Sequence, residues 1–537
     1  MEEVIELLGG HRFDDEATKI YKVPVNELET VQMINNGTGN IETHIDFRAQ
    51  SFIDVVIGFI THHKERQLPR LKQLKRYSLA DNNIKYRPKK SDTRADNRIA
   101  SDFAKFIVSF KRGVLVGNPI EYNGDEVITQ KVEDFSTRVN EAYHNQLMAD
   151  DVFTYGWGFE LVDRNVNGEE VVNKLDVFET FVIYDTSVDR NSVCGVRYYT
   201  IEFKGKTKTI VELYANDGFL YVLESEGDDV SKIAVQEDQV RQTYFNSVQI
   251  NEWINNEDRR GDFEPVLDNI DAYDLSQSEM ANFQQDMSEA LLVLEGNPDT
   301  FKKTDGSLDK DAIDYSLRAR MLIMGDKKMY PEGQTGTDPK AYYLKKEYDT
   351  TGVEAYNDRL VADMLRFTAL IDFTDENMGG NQSGVGFRFK GWGSDNDIKN
   401  KERMVKKALM RRLRLLTYSW SIKENLNKPS RFRDKVKVFF TSESKLRDNL
   451  YDRVNDIEVL FTPNVPQSDE EVMKVITGMD AVVSEQTICE MASKLTGVPA
   501  DEEMKRLKAE SPIDIGIDTA FDKTKVSEEV EEVGIDG

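Results

Sequence analysis

Several short patterns in the chain bring together residue types that do chemistry elsewhere. Gly205-Lys206-Thr207 has the ending of a phosphate loop, in which backbone N–H groups and a lysine cradle phosphates. Position 200 is Thr where that motif needs Gly, and the flanks alternate like strands, so the spacing predicts a turn. His62-His63 offers imidazole ligands for zinc, but no Cys or third His stands at ligand spacing. The pair reads as ordinary residues near a helix end. Asp185 and Asp189 have the makings of a two-carboxylate metal or glycosidase site, yet they sit in Asp-Thr-Ser-Val-Asp after a strand-like run, the composition of a turn. Cys194 and Cys489 are too few for a disulfide framework and read as buried or half-buried thiols. Gly-x-Ser-x-Gly, His-Glu-x-x-His and the Rossmann glycine pattern are missing. The expectation is a protein with no catalytic residues, no metal and no cofactor.

Two further stretches bear on nucleic acid. Lys399, Lys401, Arg403, Lys406, Lys407, Arg411, Arg412 and Arg414 crowd one helix half with Glu402 as the only acid. A solvated face or a salt-bridge surface between subunits explains them better than a DNA-binding stripe. The whole chain, with 70 Lys+Arg against 97 Asp+Glu, carries a net charge of −27, which argues against coating nucleic acid by bulk charge. Asp375 to Gly386 holds Gly379, Gly380, Gly384 and Gly386 with no following Lys-Ser/Thr, and reads as a flexible polar loop between helices.

The elements that must position these residues follow from periodicity. Helices are expected over 53–79, 97–116, 132–152, 262–289, 353–371 and 397–426, the 262–289 helix with a stripe of Val266, Ile270, Tyr273, Met280, Phe283 and Met287. Between 158 and 240 short alternating runs are separated by Asn167-Gly168, Lys204-Gly205 and Asp217-Gly218, a β-rich block of hairpins. Residues 290–351 hold short apolar runs broken by Gly, Pro and Asp, a small α/β insertion between two long helices. A strand is expected at Val436–Phe440, and Ser468-Asp-Glu-Glu471 opens a helical hairpin with a capping box. Residues 511–537, with eight acids and two lysines, read as a disordered tail. The chain of 537 residues has room for several domains, no apolar run long enough for a membrane span, and a start, Met1-Glu-Glu-Val-Ile-Glu, without a basic or long apolar leader. A host cytoplasm, or a particle assembled there, is the expected location.

The order of elements and several strings resemble the portal proteins of tailed bacteriophages, of the type found in siphophages of Gram-positive hosts. The strings are Asn97-Arg-Ile-Ala100, Gly117-Asn-Pro-Ile-Glu-Tyr122, Tyr155-Gly-Trp-Gly-Phe159, Phe181-Val-Ile-Tyr-Asp185 and Ser383-Gly-Val-Gly386. The most specific runs from Gly261-Asp-Phe-Glu264 through Leu267, Ile270-Asp-Ala-Tyr-Asp274 and Ser278 to Asn282. Gly386 departs from the family, which more often has Ala there.

The resemblance implies an α+β multidomain portal fold with wing, stem, clip and crown. An N-terminal arm would cover 1–55, the wing 56–260 and 389–460, the stem helices 261–289 and 352–372, the clip 290–351, the tunnel loop 373–388 and the crown 461–510. It also implies a DNA-facing loop of Asn377, Met378, Gly379, Gly380, Asn381, Gln382, Ser383 and Gly384, and stem residues Asp271, Tyr273, Arg359 and Arg366. The clip residues for docking would be Lys327, Lys328, Tyr342, Tyr343 and Lys345. The implied assembly is a homo-oligomeric ring of twelve or thirteen at one capsid vertex, passing double-stranded DNA in packaging and ejection. Its implied partners are the terminase large subunit, scaffold protein, major capsid protein and head-completion adaptor, with no membrane. Asp268, Asp271, Asp274, Asp358 and Asp363 interrupt the stem's apolar stripes, which suggests that these helices need neighbouring subunits. The competing classes are a capsid or scaffold assembly protein other than a portal, and a packaging-motor enzyme.

Overall fold

The computed structural model describes residues 10–34, 41–89, 95–243, 245, 247–288, 291–295, 303, 305, 307, 309–318, 321–324, 340–344, 349–371, 384–427, 453–464, 484–496, 498 and 500–510. The chain divides into two compact units, Met1–Asn464 and Val465–Gly537. In the first, β1 (Tyr21–Val23) and a hairpin of β2 (Thr30–Ile34) and β3 (Ile41–Ile45) precede α1 (Gln50–His62). That helix runs through a π-turn at His63–Gln67 into α2 (Leu68–Ser78). Phe52, Ile53, Val56 and Ile60 lie on one face of α1 and are buried, as an amphipathic helix over a sheet requires.

After α3 (Phe103–Val116) and β4 (Glu121–Asn123), the single helix expected over 132–152 is instead two, α4 (Glu126–Val139) and α5 (Glu141–Tyr155). Asn140 between them takes φ +53, a left-handed conformation that Asn tolerates and that ends a helix. The β-rich block follows as β5 (Trp157–Arg164), β6 (Glu170–Leu175), β7 (Thr180–Asp185), β8 (Ser192–Phe203), β9 (Lys206–Ala215), β10 (Phe219–Glu226), β11 (Ala234–Val235), β12 (Arg241–Gln242) and β13 (Ile250–Ile254). The larger sheet has the order β1-β7-β8-β9-β10-β11, with β12 beside β10; β1 is parallel to β7 and the other pairs are antiparallel. Helix α1 packs on it through a core that includes Phe181, Val196, Val211, Leu213 and Leu223. Strands β13-β5-β6 form a second sheet.

The suspected chemical motifs resolve into scaffolding. Lys204 and Gly205, at φ +52 and +71, close the β8–β9 hairpin, so Gly205-Lys206-Thr207 is a turn. The Asp185 carboxylate accepts from the Ser187 and Asn191 backbone N–H groups, an Asx-type turn. His63 is buried against the Tyr198 hydroxyl at 2.7 Å, while His62 meets Tyr21 and Glu16. Both cysteines are free and buried.

The two long helices are α6 (Leu267–Ser288) and, after the insertion, α8 (Thr350–Phe367). The insertion is β14 (Leu291–Glu295), α7 (Lys310–Arg318), β15 (Met321–Met324) and β16 (Lys340–Leu344); β14 is central, parallel to β15 and antiparallel to β16. On α8 the buried positions are Asn357, Leu360 and Met364, whereas Tyr356 and Phe367 are exposed. Helix α9 (Gly384–Asn427) begins well before the expected 397, so Gly384 and Gly386 are helical and the loop cannot extend to 388. A glycine costs a helix only about 1 kcal/mol, which a helix of 44 residues absorbs. Strand β17 (Glu458–Leu460) returns to pair with β4. The second unit shows α10 (Glu485–Thr496) and α11 (Ala500–Glu510). The Val436–Phe440 strand, the Ser468–Glu471 cap and the 511–537 tail lie outside the described residues. No helix among the described residues is long and apolar enough to cross a membrane.

Candidate functional site

The helix pair and its inserted sheet are rooted in the body at 259–264, where backbone passes close to backbone. Gly156 ends α5 at φ +90, and a Cβ there would stand 2.0 Å from the Arg259 carbonyl. A Cβ on Gly261 would stand 2.3 Å from the Thr154 carbonyl. The Asp262 N–H donates to the Phe153 carbonyl at 2.7 Å, and the buried Phe263 and Val266 follow in the core. The Asp262 carboxylate, itself buried, accepts from Lys401 of α9 at 2.5 Å and Asn255 at 2.9 Å, with Lys111 at 3.7 Å. Burial alone would raise its pKa, but the two ammonium groups outweigh it and hold it below the usual carboxylate range. Glu264 takes a two-pronged contact from Arg70 at 2.8 and 2.7 Å and also accepts from the Gly261 N–H.

Beyond its first turns, α6 is fastened by polar side chains as well as by the expected apolar stripe. The stripe holds at the root end, where Val266, Leu267 and Ile270 are buried; farther along, Asp274, Ser278 and Asn282, four residues apart, are the buried positions, while Met280 and Phe283 are only half-buried. The Ser101 N–H donates to Asp274 at 2.8 Å, the Ile99 N–H to the Ser278 hydroxyl at 2.9 Å, and the Asn97 N–H to Asn282 at 2.6 Å. This is why the helix expected from 97 starts at Phe103: its first amides are already bonded to α6. Nearer the root, Asp271 accepts from the Tyr77 hydroxyl at 2.6 Å and from Asn83 at 3.2 Å, and lies 2.9 Å from His11. Asp268 accepts the His11 N–H at 2.8 Å. Asp268, Asp271 and Asp274 therefore have partners within their own chain. Tyr273 packs edge-on against Phe103, with ring centroids 5.1 Å apart.

Burial pushes the Asp274 carboxyl up to about 6 in spite of the bonds from Ser101 and Asn82. Its folded pKa thus exceeds the roughly 3.9 of an unfolded Asp. The stability this group contributes is complete below about pH 4 and is lost as pH rises through about 6. Asp274→Asn should remove that slope. It should also sit on the order of 1–2 kcal/mol below the wild type near pH 4.5, because its amide would face the Asn82 amide donor-to-donor. Urea midpoints at successive pH values should converge towards pH 7.5; parallel curves would exclude Asp274 as the titrating group.

The basic half of α9 divides by burial. Lys399, Arg403, Lys407 and Arg414 are exposed, but Lys401 is buried on Asp262 and Arg412 is fully buried. Arg412 bonds to Glu160 at 3.0 and 2.5 Å, Glu141 at 2.6 Å and Asn145 at 3.0 Å. Arg411 donates to the Ser192 hydroxyl and the Val248 carbonyl. The stretch is therefore not one continuous solvated face; part of it is the ionic core of the body.

Of the residues singled out in the sequence, Asp271 and Tyr273 are thus joined to the body. Arg359 is exposed on α8, and the exposed Arg366 lies 3.2 Å from Asp363. Tyr342 and Tyr343 are on β16, opposite Val293 and Leu292 of β14. Gly384 begins α9; Asn377, Met378, Gly379, Gly380, Asn381, Gln382, Ser383, Lys327, Lys328 and Lys345 lie outside the described residues. Sequence reasoning missed Ser101 and Asn82, and placed Arg412 on a basic face rather than in the core. For the α6 ladder, the signal was the four-residue spacing of Asp274, Ser278 and Asn282.

Residues 57–512 match the family model described as "Phage portal protein, SPP1 Gp6-like". No curated protein sequence matches the chain. Among solved structures, one described as "Neck of empty GTA particle computed with C6 symmetry" aligns at 9% identity and a TM-score of 0.36, covering 74% of this chain and 90% of that one.

Proposed function

Because the chain belongs to the SPP1 Gp6-like phage portal proteins, we propose that it closes into a ring at one capsid vertex and serves as the conduit for double-stranded DNA in packaging and ejection. The observation that carries this reading is the family match over residues 57–512. The paired α6 and α8 with a sheet inserted between them supply a physical rationale. A helix pair rooted at one end and carrying a compact tip at the other suits a radially repeated wall.

In this reading α6 and α8 are the stem, the β14-β15-β16 sheet with α7 is the clip, and the body from 56 to 260 with α9 is the wing. The 373–383 segment is the tunnel loop and the second unit belongs to the crown. The clip is the docking surface for the terminase large subunit before packaging and for the head-completion adaptor after it. Scaffold and major capsid protein meet the ring during assembly in the host cytoplasm. Contact with DNA is transient, since a chain of net charge −27 repels phosphates on the whole and any contact rests on local cations. Bond-making chemistry is not required of this chain.

Electron-microscope images of the purified full-length protein should show rings of twelve or thirteen subunits with a central hole. Closed rings form through head-to-tail contacts that use two different surfaces of each copy. A stable monomer or dimer across the micromolar range in light scattering would overturn the reading, and sheets or shells would favour a capsid or scaffold component instead.

A further inference from the structure

On the body, beside the root of α6, an open cleft is lined by the segment around Arg12, the solvent side of α2, and residues 260–268. Several of its cations are already committed. Arg70 holds Glu264, Arg76 lies over the Tyr86 ring at 4.9 Å, and Arg260 lies over the Phe13 ring at 5.0 Å. Arg12, Arg66 and Lys72 are exposed and have no ion-pair or hydrogen-bond partner among the described residues. The lining holds seven Lys and Arg residues against the acids Asp14, Glu264 and Asp268, on a chain of net charge −27. The rim also carries two exposed aromatic rings, Phe13 at 47% and Tyr86 at 50% exposure, each already stacked with an arginine. The cleft therefore offers unpaired positive charge at its wall and apolar anchors at its edge.

We propose that this cleft binds a short acidic peptide segment of a partner protein, one that carries aromatic or large apolar side chains between its carboxylates. Charge complementarity points to an anion, and the rings explain why the anion should be a peptide with apolar side chains. Duplex DNA fits less well. It is a long rod of dense negative charge and would bring many phosphates against the acidic remainder of the chain, whereas a short segment meets only the local field, which is screened within about 8 Å at physiological salt. The inference is independent of the ring reading, because peptide binding is measurable whatever the oligomeric state.

The test is fluorescence anisotropy on the full-length protein at about 150 mM salt, with a short fluorescein-labelled peptide of glutamates and two interspersed phenylalanines. Binding with a Kd on the order of 10 µM is expected, weakening as salt rises. The combined variant Arg12→Glu, Arg66→Glu and Lys72→Glu should bind about tenfold or more weakly. Reversal of two exposed cations far along the chain, Lys204→Glu and Lys206→Glu, should leave binding unchanged. Equal unfolding midpoints will show that both variants fold. Failure of the peptide to bind, equal loss in both variants, or tighter binding of a short DNA duplex than of the peptide would each overturn the proposal. So would loss of self-assembly in the Arg12/Arg66/Lys72 variant, which would make the cleft a contact between copies of this chain. A marked gain in affinity on deleting the first nine residues, which include Glu2, Glu3 and Glu6, would identify the chain's own terminus as the occupant and would equally overturn a separate partner.

Discussion

Replacing Arg412 by methionine is expected to cost the first unit about 3–5 kcal/mol, because it leaves buried carboxylates without the cation that compensates them. Glu160 is fully buried and receives Arg412, His144 at 2.8 Å and Asn251 at 2.7 Å; Glu141 shares the same guanidinium and accepts the Tyr122 hydroxyl at 2.6 Å. Burial alone would drive Glu160 towards protonation, but Arg412 and His144 outweigh it and hold its pKa well below the carboxylate range. The stability from Glu160 is therefore present above its unfolded pKa of about 4.3 and is lost as pH falls towards the depressed value. Without Arg412 the sign reverses, since burial then dominates and Glu160 takes up a proton more readily in the folded state. The deficit in Arg412→Met should accordingly shrink as pH falls from 7.5 to about 5, and Glu160→Gln in the same background should recover part of it. Urea unfolding at both pH values measures this. A cost below about 1 kcal/mol would mean that the guanidinium reaches solvent. Arg414→Glu, on the exposed side of the same helix, should change stability by no more than about 0.5 kcal/mol.

The contrast between Arg412 and Arg414 shows where sequence reading stops. Periodicity identifies the helix but cannot tell a buried arginine from a solvated one two residues away, because the deciding partner, Glu160, lies 252 positions back in the chain. The same limit hid the fastening of α6. An apolar-stripe reading assigns Met280 and Phe283 to the interior. Past Ile270 the interior positions are Asp274, Ser278 and Asn282, whose donors are backbone amides of 97–101, held out of the helix that their composition suggests. What was legible was local. Asn167-Gly168, Lys204-Gly205 and Asp217-Gly218 mark hairpin turns because each glycine occupies positive φ, and alternation between them marked the block that holds β5 and β7 to β10. The two helices around an insertion were also legible, with Pro265 in the turn that opens α6. Strands β1 to β4, β6 and β11 to β13 went unread. The strings Asn97–Ala100 and Tyr155–Phe159, far apart in sequence, both meet Gly261–Asn282 or the residues just before it, Tyr155–Phe159 at the root and Asn97–Ala100 farther along at Ser278 and Asn282. Their residue types are explained by that meeting rather than by any chemistry they perform.

That root gives the second large effect, from the smallest possible change. Gly156→Ala should destabilise the first unit by about 3–5 kcal/mol, through two costs that can be separated. The first is conformational: at φ +90 a side chain is strained by about 1–2 kcal/mol wherever it occurs. The second is steric, since the new methyl would stand 2.0 Å from the Arg259 carbonyl oxygen, and a backbone atom cannot turn aside as a side chain can. Gly168→Ala isolates the first cost, because Gly168 has φ +76 in a hairpin turn and nothing within 4 Å of the added carbon. Gly261→Ala isolates the second, having no positive φ but a contact of 2.3 Å with the Thr154 carbonyl. Relief of either clash must push 259–262 away from the end of α5, which loosens Asp262 from Lys401 and Phe263 from the core. The order of unfolding midpoints should therefore be wild type, Gly168→Ala, then Gly261→Ala and Gly156→Ala lowest. If Gly156→Ala falls no further than Gly168→Ala, the close backbone passage is absent and the root must be held by its ion pairs alone.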